Sequence, residues 1–174
     1  QRADDMRYLT HAEVAALVNG KPVDGLTAAI VGRKQQHKRA HDYTLPDAWV
    51  GETVPAKRTK VVATKSLSGF GVSAGTATGR ARIILNTEAA FEREIEPGDV
   101  LIAPFTDTPW TPLFIPAAAV VVETGGMLSH AATVAREFGI PCVVLVHDAT
   151  RIIGEGDTVK VDGATGTVTI VKKA

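Results

Sequence analysis

From residue 67 onward the chain is written in short apolar runs separated by glycine-bearing turns. Ala117 to Val122 is continuously apolar, the pattern of a strand covered on both faces in a parallel sheet. Ala81 to Leu85, Val100 to Ala103 and Val143 to Val146 read as further strands, and Glu88 to Arg93 as a short helix. Between the last two apolar strands the period changes. Ala131, Val134, Ala135 and Phe138 fall at i, i+3, i+4 and i+7, one face of a helix. Ser129 stands at its N-cap, Gly139 closes it and Pro141 forbids its resumption. Val159 to Val161 and Thr167 to Val171 predict a hairpin around Gly163 to Gly166. Residues 67–174 are thus a mixed α/β domain.

The first 45 residues carry a different pattern. Thr10 and Glu13 have capping-box spacing and open a helix through about Val18, stopped by Asn19-Gly20-Lys21-Pro22. A second helix is predicted from Leu26 to Tyr43. Its later part, Arg33 to Arg39, is polar nearly all round, which fits solvent or an absent partner. Residues 46–66 hold two prolines and little periodicity and read as a linker or hinge.

The chemistry concentrates at His130. It sits in the first turn of a helix, just past the carboxyl end of a central strand, where ligands gather in α/β sheets. The unpaired N–H groups and dipole of that helix end disfavour an imidazolium, so the ring stays neutral with a nucleophilic nitrogen. A phosphoryl group accepted by the ring would lie over the same donors, and Gly125 and Gly126 would let the backbone approach it. The same geometry also suits a histidine that only helps to cap its helix. Ser129 is expected to serve first as the cap. Glu123, at the strand's end, is placed to order the loop. Arg136 lies six residues past His130, pointing away from the ring, and suits a salt bridge or domain docking better than phosphate binding.

The run Gly125-Gly126-Met127-Leu128-Ser129-His130-Ala131-Ala132, then Ala135-Arg136-Glu137 and Gly139-Ile140-Pro141, resembles the phosphohistidine signature of the PEP-utilising enzymes. These include PEP synthase, pyruvate phosphate dikinase, enzyme I of the sugar phosphotransferase system and rifampicin phosphotransferase. Residues 71–82, Gly98 to Ala103, Thr106 to Leu113 and the closing hairpin are similar to other parts of that family's mobile domain. The likeness covers roughly residues 65–172. It implies a swivelling β/β/α phosphohistidine domain, with residues 1–45 trailing from a preceding domain. It also implies that His130 relays a phosphoryl group from ATP to a small-molecule acceptor. ATP and magnesium are expected on an ATP-grasp domain, and the acceptor on another, both outside this chain. The chain itself would bind no cofactor and would be inactive alone. Two alternatives stay open: a free-standing phosphocarrier subunit of a split phenylphosphate-synthase-like enzyme, and a non-catalytic docking module. Leu128 departs from the threonine usual in dikinases and enzyme I, so a hydroxyl near the ring is expected to be missing.

Composition narrows the alternatives. With 45% hydrophobic and 22% charged residues, the 174-residue chain is an ordinary globular protein. No apolar run reaches a membrane span. The single cysteine, Cys142, permits no internal disulfide and suits a reducing cytosol; its apolar strand marks it as core. The net charge of +0 hides an excess of cations before residue 60, and Gln1 suggests a piece of something longer. His37 and His41 share a helix face, but no third metal ligand is near in sequence. The cluster Arg33, Lys34, Lys38 and Arg39 lacks the interleaved aromatics of a nucleic-acid surface. Gly71, Gly75 and Gly79 lie in a turn-rich strand entry, not in an apolar helix, and no Walker-type Gly-Lys-Ser or Gly-Lys-Thr is present.

Overall fold

The computed structural model describes residues 3–40, 42–44, 50–57 and 64–174. Its contacts divide the chain into two compact units, Gln1–Lys60 and Val61–Ala174.

The first unit opens on a 3-10 helix, Ala3–Tyr8, followed by α1 (His11–Val18) and α2 (Leu26–Ala40). The capping box is present: Glu13 N–H donates to Thr10 Oγ1 at 3.3 Å, and Thr10 N–H to Glu13 Oε2 at 2.7 Å. α2 stops earlier than its sequence suggests. Tyr43–Thr44 (β1) instead pairs antiparallel with Ala56–Lys57 (β2), so part of the expected linker is paired backbone. Residues 50–55 and 64–66 of that stretch are described as well, while 45–49 and 58–63 lie outside the described residues. Leu26 and Ile30, one turn apart, are buried on α2, and no residue of α1 is buried. Ion pairs supplement this thin core. Arg33 holds Glu13 with both Nη atoms at 2.7 and 2.9 Å, and Lys34 pairs with Asp5. Two cations of the basic cluster are therefore committed within the unit and do not present a free basic face. His37 meets the Tyr8 ring edge-on at 5.9 Å, while His41 lies outside the described residues.

The second unit begins with β3 (Ser66–Ser68), β4 (Phe70–Ser73), β5 (Thr76–Ile83), α3 (Thr87–Glu92) and β6 (Val100–Ala103). It continues with α4 (Thr111–Phe114), β7 (Ala119–Val122), α5 (His130–Phe138), β8 (Cys142–Val144), α6 (Ala149–Ile152), β9 (Thr158–Asp162) and β10 (Thr167–Lys172). The strand order is β3-β10-β9-β5-β6-β7-β8-β4. β5 to β8 run parallel, and the rest is antiparallel. β5 serves both halves: Thr76–Arg80 pairs with β9, and Ala81–Ile83 pairs with β6.

Alternation along the central strands separates two cores. Leu101, Val120, Val122 and Val144 face a layer of helices with Trp110, Phe114, Ala131 and Ala135. Val100, Ile102, Val121 and Val143 face the antiparallel half, against Val159, Val161 and Val168. The result is a β/β/α sandwich, and it explains why β6 and β7 are apolar at every position: both faces are covered. Gly69, between β3 and β4, donates its N–H to Gly166 O at 2.8 Å, and a Cβ there would run into the Val144 carbonyl. Gly71 and Gly79 likewise lie against the carbonyls of Gly163 and Gly98, so these glycines serve close strand approach. Among the described residues, no helix is long and apolar enough to cross a membrane.

Candidate functional site

The carboxyl ends of β6, β7 and β8 open onto one edge of the sheet, and His130 stands there as the first residue of α5. Its helix forms where the local signals put it. Ser129 is the N-cap in extended backbone, and Gly139 ends the helix at φ +67°. Ser129 Oγ accepts the Ala132 N–H at a long 3.5 Å and donates to Gly126 O at 2.8 Å. The serine thus caps the helix and closes the loop that leads into it. Gly125 sits in that loop at φ +135°, a conformation side chains rarely adopt, with Ser129 Oγ where a Cβ would point.

The imidazole is half-buried and held on three sides. Thr106 Oγ1 lies 3.0 Å from Nδ1, and Thr111 Oγ1 lies 3.2 Å from Nε2. The buried Phe114 ring stands perpendicular to it, with centroids 5.7 Å apart. All three come from one excursion between β6 and β7. Trp110 anchors this excursion; it is fully buried and donates Nε1–H to Thr87 Oγ1 at 3.3 Å. Burial lowers the histidine's pKa from its ordinary value, and the negative charge of Asp107 opposes that shift without cancelling it. The ring is therefore predominantly neutral at neutral pH.

The remaining candidates have distinct roles. Glu123 does not order the Gly-Gly loop. Its Oε1 accepts both the N–H and the hydroxyl of Thr150, at 2.8 and 2.6 Å, and so caps α6 from across the sheet edge. Arg136 points away from the ring and donates to two carbonyls: Nη2 to Met127 O at 2.8 Å and Nη1 to Val72 O at 3.2 Å. It ties the loop before α5 to β4. Gly126 has open space where a side chain would go. Leu128 is 92% exposed, so position 128 is not where the ring's hydroxyls come from; Thr106 and Thr111 supply them. Those two threonines were the residues missed from sequence, although both lie in the stretch Thr106 to Leu113 that resembles the family loop. Burial pushes the Cys142 thiol up to about 12, which makes it an inert core residue. Among the described residues no three His, Cys, Asp or Glu side chains converge as a metal cage.

Such a site offers a neutral imidazole, oriented through both nitrogens, at a helix N-terminus beside a glycine loop. Residues 95–166 match the model of the PEP-utilising enzyme mobile domain. The chain is 39% identical over 173 residues to an uncharacterized protein of Mycobacterium tuberculosis, covering 98% of this chain and 19% of that one. It is 34% identical over 172 residues to the rifampicin phosphotransferase of Bacillus cereus, covering 97% of this chain and 19% of that protein. It is 37% identical over 175 residues to the prodigiosin synthesizing transferase PigC of Serratia marcescens, covering 97% of this chain and 20% of that protein. The chain thus spans about a fifth of the length of these relatives. Family model and relatives agree: the unit bearing His130 resembles the mobile domain of the PEP-utilising enzymes over residues 95–166.

Proposed function

We propose that His130 is a covalent phosphoryl carrier in a longer phosphotransferase, of the PEP synthase and dikinase kind or the rifampicin phosphotransferase kind. The observation that carries this reading is the neutral, doubly oriented ring at the start of α5. A neutral imidazole keeps a lone pair for attack on phosphorus, and a phosphoryl dianion on the ring would sit beside the N–H groups of the helix end. Relay through the ring divides one transfer into two, each chiefly a matter of positioning and charge stabilisation. The donor is the β-phosphoryl group of ATP, held with magnesium on an ATP-grasp domain elsewhere in the polypeptide. The acceptor is a small molecule on another domain.

The first unit fits the trailing end of a preceding domain, given its thin core and its exposed Met6, Leu17, Val18 and Val31. In this reading residues 46–66 are the hinge. The test is intact-mass analysis of the full-length polypeptide after a short incubation with ATP and magnesium in the absence of acceptor. One acid-labile phosphate is expected, absent in His130→Ala. No added phosphate, or the same addition in the variant, would overturn the reading.

A further inference from the structure

We infer that Thr111 is a latch on His130, a positioning residue that keeps the ring unreactive until the first turn of α4 moves. The inference rests on the carrier reading. The Thr111 hydroxyl has one proton to give. The Thr111 hydroxyl donates to Thr108 O at 2.9 Å, a shorter contact than its 3.2 Å approach to Nε2. Having a single hydrogen, Oγ1 meets the ring as an acceptor, so Nε2 carries the imidazole proton. Nδ1 is then bare and receives the Thr106 hydroxyl at 3.0 Å. The heavy-atom network thus assigns the Nε2–H tautomer.

In this tautomer neither nitrogen can attack. Nε2 has no lone pair to give, and the lone pair of Nδ1 is engaged. A hydrogen-bond partner of an imidazole nitrogen lies near the ring plane, on the line along which phosphorus must arrive. Here that line is filled by a threonine oxygen at both ends of the ring. Phe114, buried and perpendicular to the ring, holds the imidazole in register with both hydroxyls. Thr106, Thr111 and Phe114 belong to one segment, so a single displacement of that segment frees the ring. The natural trigger is the docking of the donor domain, which would restrict phosphorylation to the encounter with ATP.

The test uses the 174-residue chain with 15N-labelled histidine. Long-range 1H–15N correlation reads the tautomer of His130, and intact mass follows phosphate uptake from phosphoramidate. In that reaction the lone pair of the bare nitrogen forms the new N–P bond. The P–N bond of phosphoramidate breaks, and ammonia leaves as ammonium with the proton shed by the ring. Thr111→Val should shift the tautomer away from Nε2–H and raise the uptake rate about fivefold, the weight of one ordinary hydrogen bond. Thr111→Ser, which keeps the hydroxyl, should match the parent chain in both readouts. If Thr111→Val does not fold, Thr111→Ala makes the same deletion. An unmoved tautomer, or an uptake rate unchanged or reduced by loss of the hydroxyl, would overturn the latch and leave the carrier intact. If His130 takes no phosphate here or in the full-length polypeptide with ATP, the carrier reading falls, and the tautomer alone decides whether Thr111 holds the ring.

Discussion

Gly125 and Gly126 are neighbours in one motif, yet the structure gives them opposite tolerances. In Gly125→Ala the backbone must hold an L residue at φ +135°, a region that costs about 1–3 kcal/mol. The new Cβ would also stand 3.0 Å from Ser129 Oγ and 3.3 Å from Ser129 Cβ. Ser129 is the N-cap of α5, and displacing a serine cap costs about 1 kcal/mol. Together these predict a loss of about 2–4 kcal/mol for Gly125→Ala. Gly126 meets nothing within 4 Å and has no positive φ, so Gly126→Ala should stay within about 0.5 kcal/mol of the parent. Urea unfolding followed by tryptophan fluorescence measures both, in a Trp49→Phe background that leaves the buried Trp110 as the reporter. The midpoint should fall well below the parent's for the first variant and hardly move for the second, at equal m-values. Equal midpoints for the two alanine variants would refute the argument, because the motif would then tolerate a side chain at either glycine alike.

Further outcomes follow from the same geometry. Arg136→Met deletes two hydrogen bonds to backbone carbonyls at an exposed site, so it should cost about 1–2 kcal/mol in the same assay and speed amide exchange in residues 126–129. Because burial holds the His130 pKa down, NMR titration should place it below that of an unstructured histidine, and Asp107→Asn should lower it further by removing the opposing charge. The sign for stability is set by the same shift. The contribution is present above the unfolded pKa and is lost as pH falls through the folded one, so His130→Gln should flatten that acid-side decline. Glu123→Ala strips the cap from α6 and should cost about 1 kcal/mol while leaving phosphate uptake by His130 near the parent rate.

What could be read from the sequence was what is decided locally. The helix bearing His130 is fixed by Ser129 before it and Gly139 and Pro141 after it, all within a dozen residues. β6 and β7 declare themselves through unbroken apolar runs because they are covered on both faces. The two-layer β/β/α folding of the sheet was legible only through the family resemblance, since it depends on β5 changing partner at Ala81 and not on a local residue pattern. Thr106 and Thr111 were hidden. Their contact with a ring 19 to 24 positions later follows from the parallel register of β6 on β7, which no spacing in the chain announces. Pro109 and Pro112, in the stretch that resembles the family loop, occupy the first turns of a 3-10 helix at Thr108–Trp110 and of α4, where a missing N–H costs nothing. Phe138 fits the helical period yet is 45% exposed, because α5 ends at that turn and leaves nothing to cover it.

The stitch at Gly69 has a mechanical meaning. β3 and β4 stand at opposite ends of the strand order, and one residue joins them. Tension applied along the axis of β3 loads that strand lengthwise. Its three backbone pairs with β10 must then slip together, in shear, and cannot peel apart singly. What passes Gly69 enters β4, which is laddered to β8 and held to α5 through Arg136. Both ends of the sheet take up the load together. Load borne by β3 is thus spread over both ends of the sheet before it reaches the turn that carries His130.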